Sequence, residues 1–174
     1  MPERVAAVAN RFLDLAEAES RPLDHMKLQK LIYFAHGWHL AIEGEPLLDE
    51  MIEAWEHGPV VSSLYHQFKL YGARPIRGRA WYIDPDLGTA VYPQTAAEHV
   101  NHLIGVIWAR YGAYRGVQLS TMTHASDTPW SEIRRAMPWA RNAQIPNDLI
   151  EVYFRNLAHR NRMRNEAAEA SHFC

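Results

Sequence analysis

The sequence contains little cysteine, little net charge and no long apolar run. Its single cysteine, Cys174, allows neither an internal disulfide nor a cysteine-based metal cage. No apolar run is long enough to cross a bilayer, and the first residues lack the charged start and apolar core of a secretion signal. A formal net charge of -2 gives no general basic field for nucleic acid. These absences predict a cytoplasmic protein whose main partner is neither a membrane nor a nucleic acid.

Sequence patterns that bind phosphates or present a nucleophile are also missing. No GxGxxG or Walker-type loop occurs, which argues against a nucleotide site. Ser62 and Ser63 lack the glycines that frame a nucleophile elbow. We therefore predict that the protein is not an enzyme and uses no cofactor.

Two His-x-x-His pairs, His36/His39 and His99/His102, are the strongest metal-like pattern in the chain. On a helix this spacing places both rings on one face, where zinc or iron can bind them. Neither pair has an acidic third ligand placed as in established helical metal motifs. We therefore favour solvated or hydrogen-bonded histidines and predict no metal site, with metal binding as the alternative.

The composition is that of a globular protein, because 48% of the 174 residues are apolar and 11% are aromatic. The most informative helix follows Asp24, which can cap it, and ends at Gly44. Its apolar stripe consists of Leu28, Leu31, Ile32, Ala35, Trp38 and Ile42. A second side carries Tyr33, Gly37 and Leu40, and a helix that is apolar on two sides is normally central. We predict a compact helical bundle around this central helix.

A small antiparallel β-sheet interrupts the helices. Residues 52–55 alternate like a short strand, and residues 80–83 and 90–92 predict a β-hairpin that pairs with it. Between these segments Gly58 turns the chain, Pro59 suits the first position of a helix, and Gly72 ends that helix. The predicted fold class is thus mainly α, with a small antiparallel sheet or hairpin insertion.

Further helices are predicted on both sides of the hairpin. A first helix begins near Val5, and Thr95 with Glu98 forms a capping box for the helix that follows the hairpin. The last ordered helix ends near Leu157, where the apolar period stops. We predict one domain over residues 1–157 and a frayed or disordered tail over residues 158–174. The tail arginines, Arg160, Arg162 and Arg164, are interpreted as a solvated helix end.

Individual side chains give few functional signals. Glu53 lies in the first strand and is interpreted as an outward-facing carboxylate, with a place in a polar cluster as the alternative. Most of the six tryptophans are assigned to the core, with one or two at a binding surface. Tyr65, Trp81 and Tyr82 are the candidate partner-binding residues, because aromatic side chains on a helix or hairpin surface bury a large area at low entropic cost.

Three segments carry a family resemblance over residues 5–157. They read LQKLIYFAHGWHLAIEGEPLLDE, IEAWEHGPVVSSLYHQFKLYG and LSTMTHASDTPWSEIR. Together they resemble the Panacea domain, the family of SocA-like antitoxins that includes phage-associated GepA-like proteins. The residues that carry the motif are Trp38, Glu53, Trp55, Gly58, Pro59, Tyr65, Gly72, His124, Pro129 and Trp130.

The resemblance implies a binding protein. Its first implication is an antitoxin of a type II system that neutralises a small protein toxin, encoded nearby, by direct contact. A protease adaptor that delivers the toxin to a Clp-type protease is one alternative. A solitary phage-associated protein that binds a host factor is another alternative. These three hypotheses are distinguished by whether a short toxic reading frame lies next to the gene.

Overall fold

The structure is a computed structural model that describes residues 1–95 and 97–171, the last six without their side chains. Its elements in chain order are α1 (Val5–Ala18), α2 (His25–Glu43), β1 (Ile52–Trp55), β2 (Gly58–Val60), α3 (Ser62–Phe68), a 3₁₀ turn (Lys69–Tyr71), β3 (Tyr82–Ile83), β4 (Ala90–Val91), α4 (Glu98–Tyr111), α5 (Gly116–Thr123), α6 (Pro129–Ala136), β5 (Gln144–Ile145) and α7 (Asn147–Ser171). The predicted mainly helical single domain is confirmed. None of the described helices combines the length and the apolar character that a bilayer-spanning segment needs.

Helix α2 is the centre of the fold, as its two apolar sides predict. It packs against α1, α4, α5 and α7, and its end caps are those expected from the sequence. Asp24 accepts a hydrogen bond from the Lys27 amide, and Gly44 ends the helix in the left-handed conformation at φ 73°. The predicted stripe is wrong at its last residue: Ile42 is 64% exposed, because it lies along open grooves that the neighbouring α4 and α7 line without covering it.

A close contact between α2 and α7 depends on a glycine. A side chain at Gly37 would collide with the ring of Phe154, which is fully buried. The aromatic rings of Tyr33 and Trp38 lie edge-on to that same ring, with centroids 5.7 and 5.3 Å away. Helix α7 is thus held against the centre of the core by ring packing that a methyl group at residue 37 would disturb.

The three-stranded sheet has the order β2-β1-β5 and is antiparallel. Glu53 pairs with Val60 on one side and with Gln144 on the other. The prediction that the strands near residues 80–83 and 90–92 join this sheet is wrong, because β5 occupies that edge of β1. Strands β3 and β4 form a separate two-stranded ribbon with Tyr82 opposite Val91.

The chain entering this ribbon is tied to α1 instead, through a buried amide. The Asn10 side chain donates to Ala80 O at 3.0 Å and to Pro93 O at 2.8 Å, and accepts from Ala80 N at 2.8 Å. Arg79, which precedes Ala80, forms ion pairs with Asp14 and Glu17 of α1. These contacts satisfy backbone groups that would otherwise favour pairing with another strand.

Three helix boundaries differ from those predicted. Pro59 lies in β2, and α3 begins three residues later, because residues 58–60 turn back along β1. The capping box at the start of α4 is wrong, since the Thr95 hydroxyl bonds to the side chain of Asn101 and Ala97 holds the cap position. Helix α7 continues to Ser171, where the sequence predicted a frayed end from residue 158, and residues 172–174 lie outside the described residues.

Candidate functional site

The β1–β2 hairpin turns at Gly58 against a lysine of the central helix. Gly58 has φ 106°, a conformation that side chains disfavour, and a Cβ there would lie 2.8 Å from Lys30 Nζ and 2.9 Å from Thr123 Oγ1. Lys30 is buried, and its Nζ donates to Pro59 O at 3.1 Å. This close contact explains why the motif has a glycine at this position.

Burial of the Lys30 amine has an electrostatic cost. Desolvation lowers the pKa of Lys30 from 10.5 to about 7.

Gln29, the preceding residue, holds the chain after β2 with two hydrogen bonds, donating to Val61 O at 3.1 Å and accepting from Val61 N at 2.8 Å. Two adjacent polar side chains of α2 therefore fix the hairpin and the start of α3.

Aromatic rings cover the outer side of the hairpin. The Trp55 indole donates to Glu53 Oε2 at 2.6 Å. The ring of Tyr65, from α3, lies edge-on to Trp55 with centroids 4.7 Å apart. Glu53 thus belongs to a polar contact within an aromatic cluster, which was the alternative to a free outward-facing carboxylate.

The second half of the chain completes the cluster. Thr128 caps α6 by accepting from Ser131 N at 3.3 Å, and Pro129 occupies the first helical turn. This places Trp130 so that its indole donates to Trp55 O at 2.7 Å. The ring of His124 lies 3.9 Å from that of Trp130 between centroids. Motif residues from two of the three resemblance segments, on β1, α3 and α6 and beside α5, therefore meet at one place.

Side chains of Ser120 and His124 contact the backbone carbonyl oxygens at the tip of the β1–β2 hairpin. Ser120 Oγ donates to His57 O at 3.1 Å. The two ring nitrogens of His124 face carbonyl oxygens, Nδ1 at 2.6 Å from Ser120 O and Nε2 at 3.3 Å from Glu56 O. A neutral imidazole carries one N–H and can donate only one of these hydrogen bonds. The shorter contact, from Nδ1 to Ser120 O, is the better candidate for that bond. The side chains of Glu56 and His57 are exposed at the tip.

We refer to this assembly as the motif surface. It consists of Glu53, Trp55, Glu56, His57, Tyr65, His124 and Trp130. The three aromatic rings and His124 are half-buried, so each presents one side to solvent and one to the fold. Partly exposed tryptophan and tyrosine side chains on a rigid backbone are typical of protein-binding surfaces.

The predicted binding residues fall into two groups. Tyr65 lies in the motif surface, whereas Trp81 and Tyr82 lie on or beside the β3–β4 ribbon. Trp81 is 39% exposed, and Gln67 of α3 bonds to both its amide and its carbonyl, at 3.0 and 2.9 Å. The Arg4 guanidinium lies 3.8 Å above the Tyr82 ring. Helix α3 therefore links the two groups, while partner binding by all three residues remains a prediction.

Two other motif residues lie away from the motif surface. Trp38 is half-buried, and its indole donates to the Tyr111 hydroxyl at 3.4 Å. Gly72 follows the 3₁₀ turn at φ 56°, where a Cβ would meet no described atom within 4 Å. Glycine is required at position 72 by the positive φ of the backbone, and not by the closeness of neighbouring atoms.

The two histidines of the first His-x-x-His pair, His36 and His39, make separate contacts. His36 is buried, burial lowers its pKa to about 4, and its neutral ring donates from Nε2 to Asn147 Oδ1 at 2.9 Å. His39 points elsewhere, with Nδ1 2.8 Å from Glu45 O and its ring 6.2 Å from that of His99. Among the described residues, no three His, Cys, Asp or Glu side chains are placed to share a metal ion.

Sequence reasoning missed the polar residues that support the site. Gln29, Lys30, Ser120 and Asn10 bond to the backbone of segments far away in the chain. The available signal was position: Gln29 and Lys30 lie within the stretch of α2 that is apolar on two sides, where a polar residue must be buried. Buried polar groups are hydrogen-bonded, which predicts a distant partner but not its identity.

Fold and surface together define a class of protein: a mainly helical single domain with an aromatic surface around a strand-turn-helix motif. Comparison with known proteins identifies the family. The family model described as "Antitoxin SocA-like, Panacea domain" matches residues 28–131, which include the whole motif surface. The chain therefore belongs to the SocA-like Panacea family.

One similar protein is the "Antitoxin SocA" of Caulobacter vibrioides (strain NA1000 / CB15N). It is 36% identical to this chain over 128 residues, which cover 73% of this chain and 68% of that protein. No solved structure gives a significant match.

Proposed function

We propose that this protein is an antitoxin that neutralises a small protein toxin by direct binding, as in a type II toxin-antitoxin system. The observation that carries the proposal is the 36% identity to a protein named as an antitoxin, extending over 68% of that protein. The proposed partner is encoded next to the gene, and the proposed location is the cytoplasm.

The motif surface is the proposed binding face. Trp55, Tyr65 and Trp130 provide three half-buried rings whose positions are fixed by indole hydrogen bonds and ring contacts. Fixed aromatic side chains bind at low entropic cost, because little side-chain freedom is lost on association. Trp81 and Tyr82 extend this face along the ribbon that α3 supports.

The proposed mechanism is occlusion of the toxin without turnover of a substrate. The motif surface presents indole and phenol rings, a carboxylate engaged by Trp55, and a histidine whose nitrogens face carbonyls. Such groups suit contact with a protein surface better than proton transfer to a small substrate.

Co-expression in a bacterial host tests the proposal. Each small reading frame adjacent to the gene is induced with and without this protein, and growth rescue and co-purification are scored. We expect rescue and a stable complex with one neighbour. Trp81→Ala should weaken both, whereas Trp139→Ala, at a 78% exposed tryptophan outside both the motif surface and the β3–β4 ribbon, should not. Absence of rescue and of a complex with every neighbour would argue against the antitoxin and favour a solitary protein that binds a host factor.

The same experiment separates simple binding from protease delivery. Repeated in a host without its Clp-type protease, an antitoxin that acts by occlusion still rescues growth. An adaptor does not, and the toxin then accumulates instead of disappearing. Measuring toxin half-life in both hosts decides between the two mechanisms.

A further inference from the structure

A second surface lies on the face formed by α2, α4 and α7. Ile42 of α2 is 64% exposed and Val106 of α4 is 50% exposed, and the half-buried Leu103 lies with them along two adjoining grooves. We call these three residues the apolar ridge. Branched aliphatic side chains exposed together on neighbouring helices mark a surface that gains free energy when it is covered.

The two grooves beside the ridge carry opposite charges. Glu43 and Glu98 line one groove, together with the imidazoles of residues 39, 99 and 102. Arg110 and Arg164 line the other, beside Trp38 and Tyr111. An apolar strip with carboxylates on one side and guanidinium groups on the other is complementary to a copy of itself rotated by a two-fold axis.

The spacing along α4 gives a register for such a contact. Glu98, His102, Val106 and Arg110 are all exposed and recur every four residues, so they lie along one side of the helix. When two copies of α4 are antiparallel and cross at residue 104, Glu98 faces Arg110 of the second copy. The two Val106 side chains then lie near the two-fold axis, one helical turn from each Glu98–Arg110 pair.

Gly105 lies beside this crossing point, and the fold of one chain does not explain it. A Cβ at Gly105 would meet no heavy atom of the described residues within 4 Å outside its own helix. Glycine in a helix interior is less favourable than alanine. A missing side chain lets a second helix approach closely, which gives this glycine a role in contact between copies.

From the ridge, the charges and Gly105 we infer that two copies of this chain associate through this face as a two-fold symmetric dimer, with their α4 helices antiparallel. The apolar ridges cover each other, and the acidic groove of each copy meets the basic groove of the other. The inference does not depend on the antitoxin role, because it concerns residues outside the motif surface and a partner that is the chain itself.

Light scattering coupled to gel filtration, over a dilution series of the full chain, tests the dimer. We expect twice the chain mass of 20.0 kDa for the wild type at high concentration. Val106→Glu places two carboxylates in the contact and should raise the dissociation constant on the order of a hundredfold. Val152→Glu, at a 57% exposed valine of α7 that lines neither groove, is the matched control and should leave the dimer intact.

Gly105→Ala distinguishes interface from folding. In a single chain it should raise the melting temperature, because alanine favours the helix, whereas it should weaken the dimer. Glu98→Arg or Arg110→Glu alone should also weaken the dimer, and the double variant should restore it by re-forming each pair with reversed charges. A wild type of 20.0 kDa at every concentration, or a dimer unaffected by Val106→Glu and Gly105→Ala, would overturn the inference.

Discussion

Replacement of Lys30 by methionine removes an amine that is buried beneath the β1–β2 hairpin. The amine donates to Pro59 O, and among the described residues no carboxylate forms an ion pair with it. Burial lowers its pKa from 10.5 to about 7. Methionine has a similar length and no charge to desolvate, so the substitution isolates the electrostatic cost of the lysine.

The magnitude follows from the two pKa values. One pKa unit corresponds to about 1.4 kcal/mol, so at about pH 7.5 burial of this amine costs the folded state roughly 4 kcal/mol. Methionine leaves the Pro59 carbonyl without its donor, which costs about 1–3 kcal/mol. We therefore expect Lys30→Met to raise the free energy of unfolding by about 1–3 kcal/mol near neutral pH.

The pH dependence has a definite sign. Between about 7 and 10.5 the amine is neutral in the folded state and protonated in the unfolded state, so the unfolded state binds more protons. Wild-type stability then rises with pH by up to about 1.4 kcal/mol per unit. Below about 7 both states are protonated, and the contribution of Lys30 is constant. The methionine variant lacks this rise, so its advantage over the wild type shrinks as the pH increases.

Urea unfolding at a series of pH values between neutral and mildly alkaline measures both effects. Lys69→Met, at an exposed lysine of the 3₁₀ turn, is the matched control and should follow the wild type. Lys30→Arg should be destabilised throughout, because a guanidinium keeps its charge. Wild type and Lys30→Met with parallel pH dependences would refute the reasoning, since Lys30 would then titrate alike in both states.

Three further perturbations test the core and the motif surface. Gly37→Ala should lower the free energy of unfolding by about 1–3 kcal/mol, measured by urea unfolding, because its methyl group meets the Phe154 ring. Trp130→Phe should cost about 1–3 kcal/mol in the same assay, because it removes the indole that donates to Trp55 O. Lowering the pH from 6.5 towards about 4 should destabilise the wild type more than His36→Gln, because the unfolded histidine binds a proton that the buried ring does not.

Each of these has a contradicting result. A Gly37→Ala variant as stable as the wild type would mean that α7 packs less closely than described. If Trp130→Phe leaves the free energy of unfolding unchanged, a water molecule must donate to Trp55 O in place of the Trp130 indole. If His36→Gln loses as much stability in acid as the wild type does, the loss arises at other groups.

Features fixed by neighbouring residues were predicted well from the sequence. Helix α2, its cap at Asp24 and its stop at Gly44 depend on short-range geometry. The pairing of β1 was not predictable in this way. Its partner β5 consists of only Gln144 and Ile145, which is too short to show an alternating pattern.

The motif surface was only partly predictable for the same reason. The resemblance selected Trp55, Tyr65 and Trp130, but nothing in their spacing indicates that the Trp130 indole reaches a carbonyl of β1. Ile42 failed in the opposite way, since helical periodicity assigns a residue to a face without showing how completely the neighbouring helices cover it. Long-range packing decides both cases, and a single sequence does not display it.

The order of strands in the central sheet has a consequence for how the chain folds during synthesis. Strands β1 and β2 are adjacent in the chain and can form a hairpin early, but β5 completes the sheet only after α4, α5 and α6 have been made. Until Ile145 has left the ribosome, one edge of β1 has no partner strand. Contacts between distant residues slow folding, and an open strand edge can pair with other chains. We therefore expect the nascent protein to be most prone to aggregation before its last helix is synthesised, when that edge is still open.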